Sequence, residues 1–475
     1  MIVRSCAAAA LLLCVPGRAA EVARAADGAV VVEASGFFKS YGSLLVLPRD
    51  LVLATEILDD VVDDTRAQLP PSLALELPAG VALPSQVGLA TQIARLDVRA
   101  TFFQNIDVEA AWQATGVLAS SASFGAGSAQ AGVLGTSLVA AQRRFVDFEP
   151  TLLEGGGLAL RHNLDRLLLR WANPHFTLVV GRQALSWGTG RLWNPTDLLS
   201  PFAPTDVDRE VRRGADAVRL SLPIDDTTQF EVLWLPQQAL ATQGFVLRLR
   251  GNVWDTDLSF TGAKYVDDLV IGADFVGDLG PLGVHGEAAW TLPVVGLARA
   301  LDGSAGEPLH VHDDFVRAVL GVEGRLVQEV VLGAEVYFNG WGTSDPKQLL
   351  EVLKSDRVVR GEVFGAGRTY AGFYGTWLLN DLLSVTTTAL VNLDDPGLLY
   401  IPALEYWLEQ SVLLRAGAFV PVAQGVDVDR FSMLSPRDVL AKTPAFQSVT
   451  QTFAARSEYG MSPAGVFFQI GAYLN

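Results

Sequence analysis

Cysteine is nearly missing from this chain of 475 residues: there are two, Cys6 and Cys14. Both fall within the first 25 residues, so no disulfide framework can hold the remainder together. Charge is sparse, at 18% of residues, and lysine especially so. Basic groups are outnumbered, 35 Lys and Arg against 52 Asp and Glu. A nucleic-acid binder is therefore excluded, because phosphate would be repelled. Beyond the first 25 residues the chain also lacks any run of about 18 apolar residues of the kind a spanning helix needs. What is abundant is apolar surface and glycine: 50% of residues are hydrophobic and 45 are Gly. With a mean hydropathy of +0.29, the chain has far too much apolar surface to remain disordered.

The N-terminus reads as an export signal. Arg4 gives a positive start, Ser5 to Val15 an apolar stretch, and Ala23-Arg24-Ala25 a small-residue cleavage site, with cleavage after Ala20 as the alternative. Leu13 and Ser5 precede the two cysteines, so no lipid-attachment box is present. The expected organisation is a signal peptide over 1–25 and one domain over 26–475. That domain carries 32 basic and 51 acidic groups, a net charge of about −19.

Period-two alternation runs through the domain. Val316, Ala318, Leu320 and Val322 oppose Arg317, Val319, Gly321 and Glu323. Leu332, Ala334, Val336 and Phe338 oppose Gly333, Glu335 and Tyr337. This reading predicts strands over 30–41, 92–104, 106–118, 158–172, 175–187, 215–223, 228–236, 243–251, 255–265, 268–277, 281–292, 313–325, 328–339, 367–379, 382–393, 397–408, 411–421 and 464–475. Every second connection is a short turn, and many of the others are long. A soluble sandwich has no reason to sort its loops in this way. The expectation is an all-β fold: a transmembrane antiparallel β-barrel of about 18 strands (16–18), with short periplasmic turns and long extracellular loops. Closure would satisfy every backbone group in hydrocarbon. Residues 49–68 look helical and would sit on the surface in the first long loop. Residues 451–460 could pair as one more strand. The uncharged stretch 110–142 reads as a strand end followed by a Ser- and Gly-rich loop.

The densest local signal starts at Gly181-Arg182-Gln183 and continues through Ser186-Trp187-Gly188, Gly190-Arg191 and Trp193-Asn194-Pro195-Thr196-Asp197. Loop 188–214 is expected to fold inward and narrow the pore, with Arg182, Trp187, Arg191, Asn194, Asp197, Arg209 and Arg212 at the constriction. The bland alternative is a specialised turn whose polar groups bond one another. This string, with the later Pro201-Phe202-Ala203-Pro204 and Arg213-Gly214-Ala215-Asp216, resembles a family of bacterial outer-membrane β-barrels. More distantly it is similar to alginate and exopolysaccharide export porins. The resemblance covers about 40 residues and implies a barrel channel without fixing a solute. Barrels of this kind usually end in an aromatic residue that the barrel-assembly machinery reads. Here the last aromatic, Tyr473, stands two residues before the end.

The polar strand faces predict the lumen: Arg166, Arg170, Arg219, Arg248, Arg250, Glu231, Asp257, Asp274, Glu287, Arg317, Glu323, Glu335 and Arg415. If all point inward, an arginine-rich wall faces a wall richer in carboxylate, and the field between them would select charged solutes. The alternative is that these charges pair and brace the barrel. No cofactor or metal is expected. His310 with His312, and Asp59, Asp60, Asp63 and Asp64, are weak metal signals that lack a complete ligand set. No G-x-S-x-G nucleophile turn is present, and His285 with Glu287 is a poor candidate acid/base pair. The expected function is a porin-like outer-membrane channel for a hydrophilic solute or polymer, anionic ones among the candidates. Its expected surroundings are lipid and lipopolysaccharide, with no nucleic acid. An exopolysaccharide exporter, a surface adhesin and, last, a hydrolase are the alternatives.

Overall fold

The computed structural model describes residues 20–24, 30–69, 82–120, 144–239, 242–266, 268–293, 314–395, 397–443, 446–447 and 455–474. Eighteen strands form the barrel: β1 (Val30–Val46), β2 (Gln86–Phe102), β3 (Ile106–Ala119), β4 (Leu158–Ala172), β5 (Thr177–Ala184), β6 (Gly214–Pro223), β7 (Gln229–Leu235), β8 (Gly244–Val253), β9 (Thr256–Tyr265), β10 (Asp268–Leu279), β11 (Leu282–Pro293), β12 (Phe315–Val327), β13 (Val330–Asn339), β14 (Thr369–Leu378), β15 (Leu383–Asn392), β16 (Gly397–Glu409), β17 (Val412–Val422) and β18 (Ala464–Leu474). Each pairs antiparallel with the next. β18 returns to β1 over Gly36–Val46, which closes the sheet and leaves it no free edge. Two short strands add to the barrel without belonging to it. Ala20–Arg24, inside the expected signal peptide, pairs with β1, and Thr151–Gly155 pairs with β4.

The alternation decides which face is which. Leu320 (62% exposed) and Val336 (55%) point outward, whereas their strand neighbours Arg317 and Glu335 are buried inside. Phe260, Ile271, Leu247 and Phe373 repeat the outward pattern on other strands. Such an exterior needs hydrocarbon to cover it. At one end the connections are two to five residues long, as at 103–105, 254–255 and 328–329. At the other end lie the long excursions 47–85, 120–157, 185–213, 340–368 and 423–463.

Two departures from the sequence reading concern boundaries. β1 and β2 run on to Val46 and back to Gln86, shortening the first long loop. Gly42 and Ser43 hid that extension. β5 stops at Ala184, because the residues that follow turn into the barrel. The expected helix is present as α1 (Arg49–Ala67). Leu51, Ala54, Leu58 and Val62 line its buried stripe, packed against Val426, Phe431 and Leu434 of the last long loop. The spacing of three to four residues puts them on one helical face. Among the described residues of 451–460 there is a single bridge, Val426 to Ala455, and no strand. The loop expected after β3 lies outside the described residues, as does the His310–His312 pair.

One irregularity has consequences inside. Ala111 pairs with Arg166 and Trp112 with Leu164, so β4 carries a bulge at Asp165. A bulge shifts side-chain parity by one. Asp165 and Arg166, adjacent in sequence, are consequently both buried on the inner side.

Candidate functional site: a strap across the lumen

Residues 185–213, between β5 and β6, cross the barrel and attach to opposite walls. Glycine makes the first attachment possible. Gly188 has φ +89, and a Cβ there would lie 2.7 Å from Glu287 Oε1 and 2.8 Å from Asn194 Oδ1. A Cβ on Gly190 would lie 1.9 Å from the Trp193 carbonyl oxygen. The bare backbone therefore reaches the wall. Glu287 on β11 accepts from Thr189 N, Gly190 N at 2.6 Å, Thr196 N at 3.1 Å and Thr196 Oγ1 at 2.8 Å. Glu335 on β13 accepts from Arg191 N at 2.5 Å, Leu192 N at 3.0 Å and Trp193 N at 3.3 Å. Two carboxylates thus satisfy a run of strap N–H groups that no secondary structure pairs.

The opposite attachment uses side chains. Lys39 on β1 donates to Asp208 Oδ2 and Glu210 Oε2, both at 2.7 Å. Tyr41 on β1 donates to Asp208, and Tyr473 on β18 donates to Glu210 Oε1 at 2.8 Å. Arg415 on β17 donates to the Val207 carbonyl at 3.2 Å. Burial would raise the Asp208 carboxyl, but Lys39 and the Tyr41 hydroxyl hold it below its ordinary value.

Between these ends the strap braces itself. Arg209 donates to the Arg191, Ala203 and Pro204 carbonyls at 2.6, 3.1 and 2.8 Å. Asp197 accepts from Ser200 N at 3.2 Å and pairs with Arg212. Burial pushes the Asp197 carboxyl up to about 6, against the pull of Arg212. Asn194 accepts from Asp197 N through its carbonyl at 3.1 Å.

The strap divides the lumen unequally. On the β12–β18 side, Leu192 and Trp193 join Val319, Tyr337, Tyr370, Leu390, Leu399, Phe419 and Phe467 in an apolar cluster. Trp193 stacks on Tyr337 with ring centroids 5.2 Å apart. On the β1–β4 side a cavity of about 170 Å³ remains. Its charged lining is Lys39, Arg161, Arg212, Arg213 and Arg360 with Glu149, Asp165, Asp206 and Asp208.

Of the expected constriction residues, Arg212 alone lines this cavity. Arg182 is a buried strut bound to Asp216 at 2.7 Å and to the Leu164 carbonyl. Trp187 is buried among Leu185, Leu198 and Leu233, with Arg248 over its ring. Arg191 binds Glu323 at 2.6 Å. Asn194, Asp197 and Arg209 hold the strap's own shape. The facing arginine and carboxylate walls are replaced by local pairs. Arg170 binds Asp107, Arg219 approaches Glu231, Arg248 binds Asp274, Arg250 binds Asp257 and Arg415 binds Glu405. Arg166 binds Asp165, and Arg317 meets Glu362 of the 340–368 loop at 3.6 Å. The reason is register: Asp107 lies directly opposite Arg170, and Glu405 opposite Arg415. His285 meets Glu335 at 2.9 Å rather than Glu287, which dissolves the acid/base pair considered above. Lys39 and Tyr41 are the main residues the sequence reading missed; the alternation of β1 places both on its inner face.

No protein-family profile matches the sequence. No curated protein matches it either. Among solved structures the chain is similar to OccK5 (OpdH) of Pseudomonas aeruginosa, at 9% identity and TM-score 0.49, over 93% of this chain and 97% of that one. A BenF-like porin from Pseudomonas fluorescens Pf-5 gives 9% and 0.48, over 93% and 98%. OccAB4 of Acinetobacter baumannii gives 8% and 0.46, over 93% and 97%. The closed eighteen-strand barrel rests on this chain's own strand pairing.

Proposed function

We propose that this protein is an outer-membrane channel that passes a hydrophilic, anionic solute or polymer between the strap and the β1–β4 wall. The observation that carries the reading is a closed barrel, apolar outside, whose lumen is spanned by a pinned strap that leaves a charged cavity on one side. Arg161, Arg212 and Arg213 face that cavity together with Lys39 and Arg360, and guanidinium groups bind carboxylates in bidentate fashion. An export leader over 1–25, insertion by the barrel-assembly machinery and contact with lipopolysaccharide belong to the same reading. No cofactor or catalytic group is part of it.

Planar-bilayer recording tests the proposal. Stepwise conductance, with a reversal potential displaced toward chloride in a KCl gradient, supports it. A silent bilayer combined with ester hydrolysis would favour the hydrolase reading. A silent bilayer combined with surface binding would favour the adhesin, a reading supported by the apolar filling of half the lumen. Export of an anionic polysaccharide is the second transport reading, drawn from the motif around Trp187 and Trp193.

A further inference from the structure

The wall formed by β1, β17 and β18 holds a set of donors converging on one spot. Lys39 is 1% exposed, and its ammonium lies 4.4 Å from the Phe37 ring centre and 5.6 Å from that of Tyr473. The Tyr41 and Tyr473 hydroxyls stand beside it and donate to the same pair of strap carboxylates. Gln469 donates to the Tyr41 hydroxyl at 2.9 Å, and Arg415 donates to Gln469 Oε1 at 2.7 Å. A buried ammonium left without an anion is strongly unfavourable. The chain supplies two anions, Asp208 and Glu210, where one would neutralise Lys39. Both come from the strap, 169 and 171 residues away in sequence. Lys39, Tyr41 and Asp208 also line the cavity, so a solute in the cavity reaches the ion pair directly.

We propose that Lys39, Tyr41 and Tyr473 form a carboxylate-binding site in the pore wall, occupied by the strap's own Asp208 and Glu210 until a carboxylate-bearing solute displaces one of them. This deepens the anionic-channel reading and rests on it. The surplus acceptor makes the exchange feasible. When a solute carboxylate takes the place of Asp208, Lys39 keeps Glu210 and never stands unpaired. The strap is loosened at this end alone, since Glu287 and Glu335 hold the other. The contact is thus an internal mimic of the ligand.

The test uses the full-length protein in planar bilayers, with potassium galacturonate and oligogalacturonate as probes of chloride current. The wild type is expected to be blocked by galacturonate. Asp208→Asn with Glu210→Gln, which removes both internal competitors and keeps their size, should be blocked at several-fold lower concentration. Adding Lys39→Met to that pair should abolish the gain, and adding Lys39→Arg should retain most of it. Block at the same concentration in wild type and the double variant overturns the site, as does a gain that survives Lys39→Met. Should the double variant fail to insert, Glu210→Gln alone, at the more exposed of the two carboxylates, should shift block the same way to a smaller extent; no shift there overturns the proposal. Tighter block by the oligomer than by the monomer assigns the site to a polymer, and equal block assigns it to a small acid. A wild type that carries no current in KCl defeats the channel reading itself. Current with unaltered block defeats this inference alone.

Discussion

The two halves of the lumen have been put to different uses by the same strand pattern. Inner-face positions on β12–β18 include Val319, Tyr337, Tyr370, Leu399 and Phe419, which pack with Leu192 and Trp193 of the strap. Inner-face positions on β1–β4 include Lys39, Tyr41, Thr115, Arg161 and Asp165, which border open space. Inward parity therefore does not by itself mean contact with water. Where a loop docks, the inner face becomes a second hydrophobic core. Where the strap is tied to the wall through side-chain ion pairs, a cavity remains beside it. The strap's attachments differ in the same sense: fixed backbone bonds to Glu287 and Glu335 on one side, ion pairs to Lys39 on the other.

The filled half should break hardest. Trp193→Ala removes the ring stacked on Tyr337 and should cost about 3–5 kcal/mol by the usual scale for large aromatic truncations. Urea unfolding in detergent micelles measures it, and the released strap should add noise to single-channel traces. Next comes the backbone attachment. Glu335→Gln removes a carboxylate that accepts three strap N–H groups and should cost about 1–3 kcal/mol. Its conductance should rise, because the strap end is freed beside the filled half.

A smaller effect is expected from Asp197. Burial holds its carboxyl at about 6 in the folded protein against an ordinary value of 3.8. A raised acid favours the folded state fully below the lower value, and that contribution fades as pH climbs from about 4 to about 6. In the same window the proton taken up on acidification leaves Arg212 without its counter-charge. Chloride preference should therefore rise as pH falls through about 6, and Asp197→Asn should show that higher preference at every pH. A wild-type reversal potential flat between pH 5 and 7 would contradict this. The smallest effect belongs to Arg170→Ala, whose half-exposed guanidinium shares the buried Asp107 with Arg99, so that the carboxylate keeps a partner. It should change stability by about 1 kcal/mol or less and barely move the reversal potential.

The eighteen strands were legible because a side chain that alternates between oil and the barrel interior writes its period directly into the sequence. Leu320 beside Arg317, or Val336 beside Glu335, needs no tertiary knowledge. α1 was legible for the same reason at a different period. The site was legible only in part. The Gly188–Asp197 string announced a strap, but its landing points did not show. Lys39 meets Asp208 across 169 residues, and barrel curvature rather than sequence spacing brings them together. The bulge at Asp165, which turns both Asp165 and Arg166 inward, is invisible to an alternation count. Of the two readings of the strand-face charges, an arginine wall or local pairs, the pairs are what the strands form, because neighbouring strands supply carboxylates at matching register.

The division of the lumen can be tested most directly with thiols, since cysteine occurs only at Cys6 and Cys14, inside the expected leader. Thr115→Cys places a thiol on the cavity wall, and Val319→Cys places one in the filled half. A membrane-impermeant, charged thiol reagent added to single channels should reduce current through Thr115→Cys and leave Val319→Cys unaffected. Rapid block of Val319→Cys with an inert Thr115→Cys would place the water path on the wrong side of the strap.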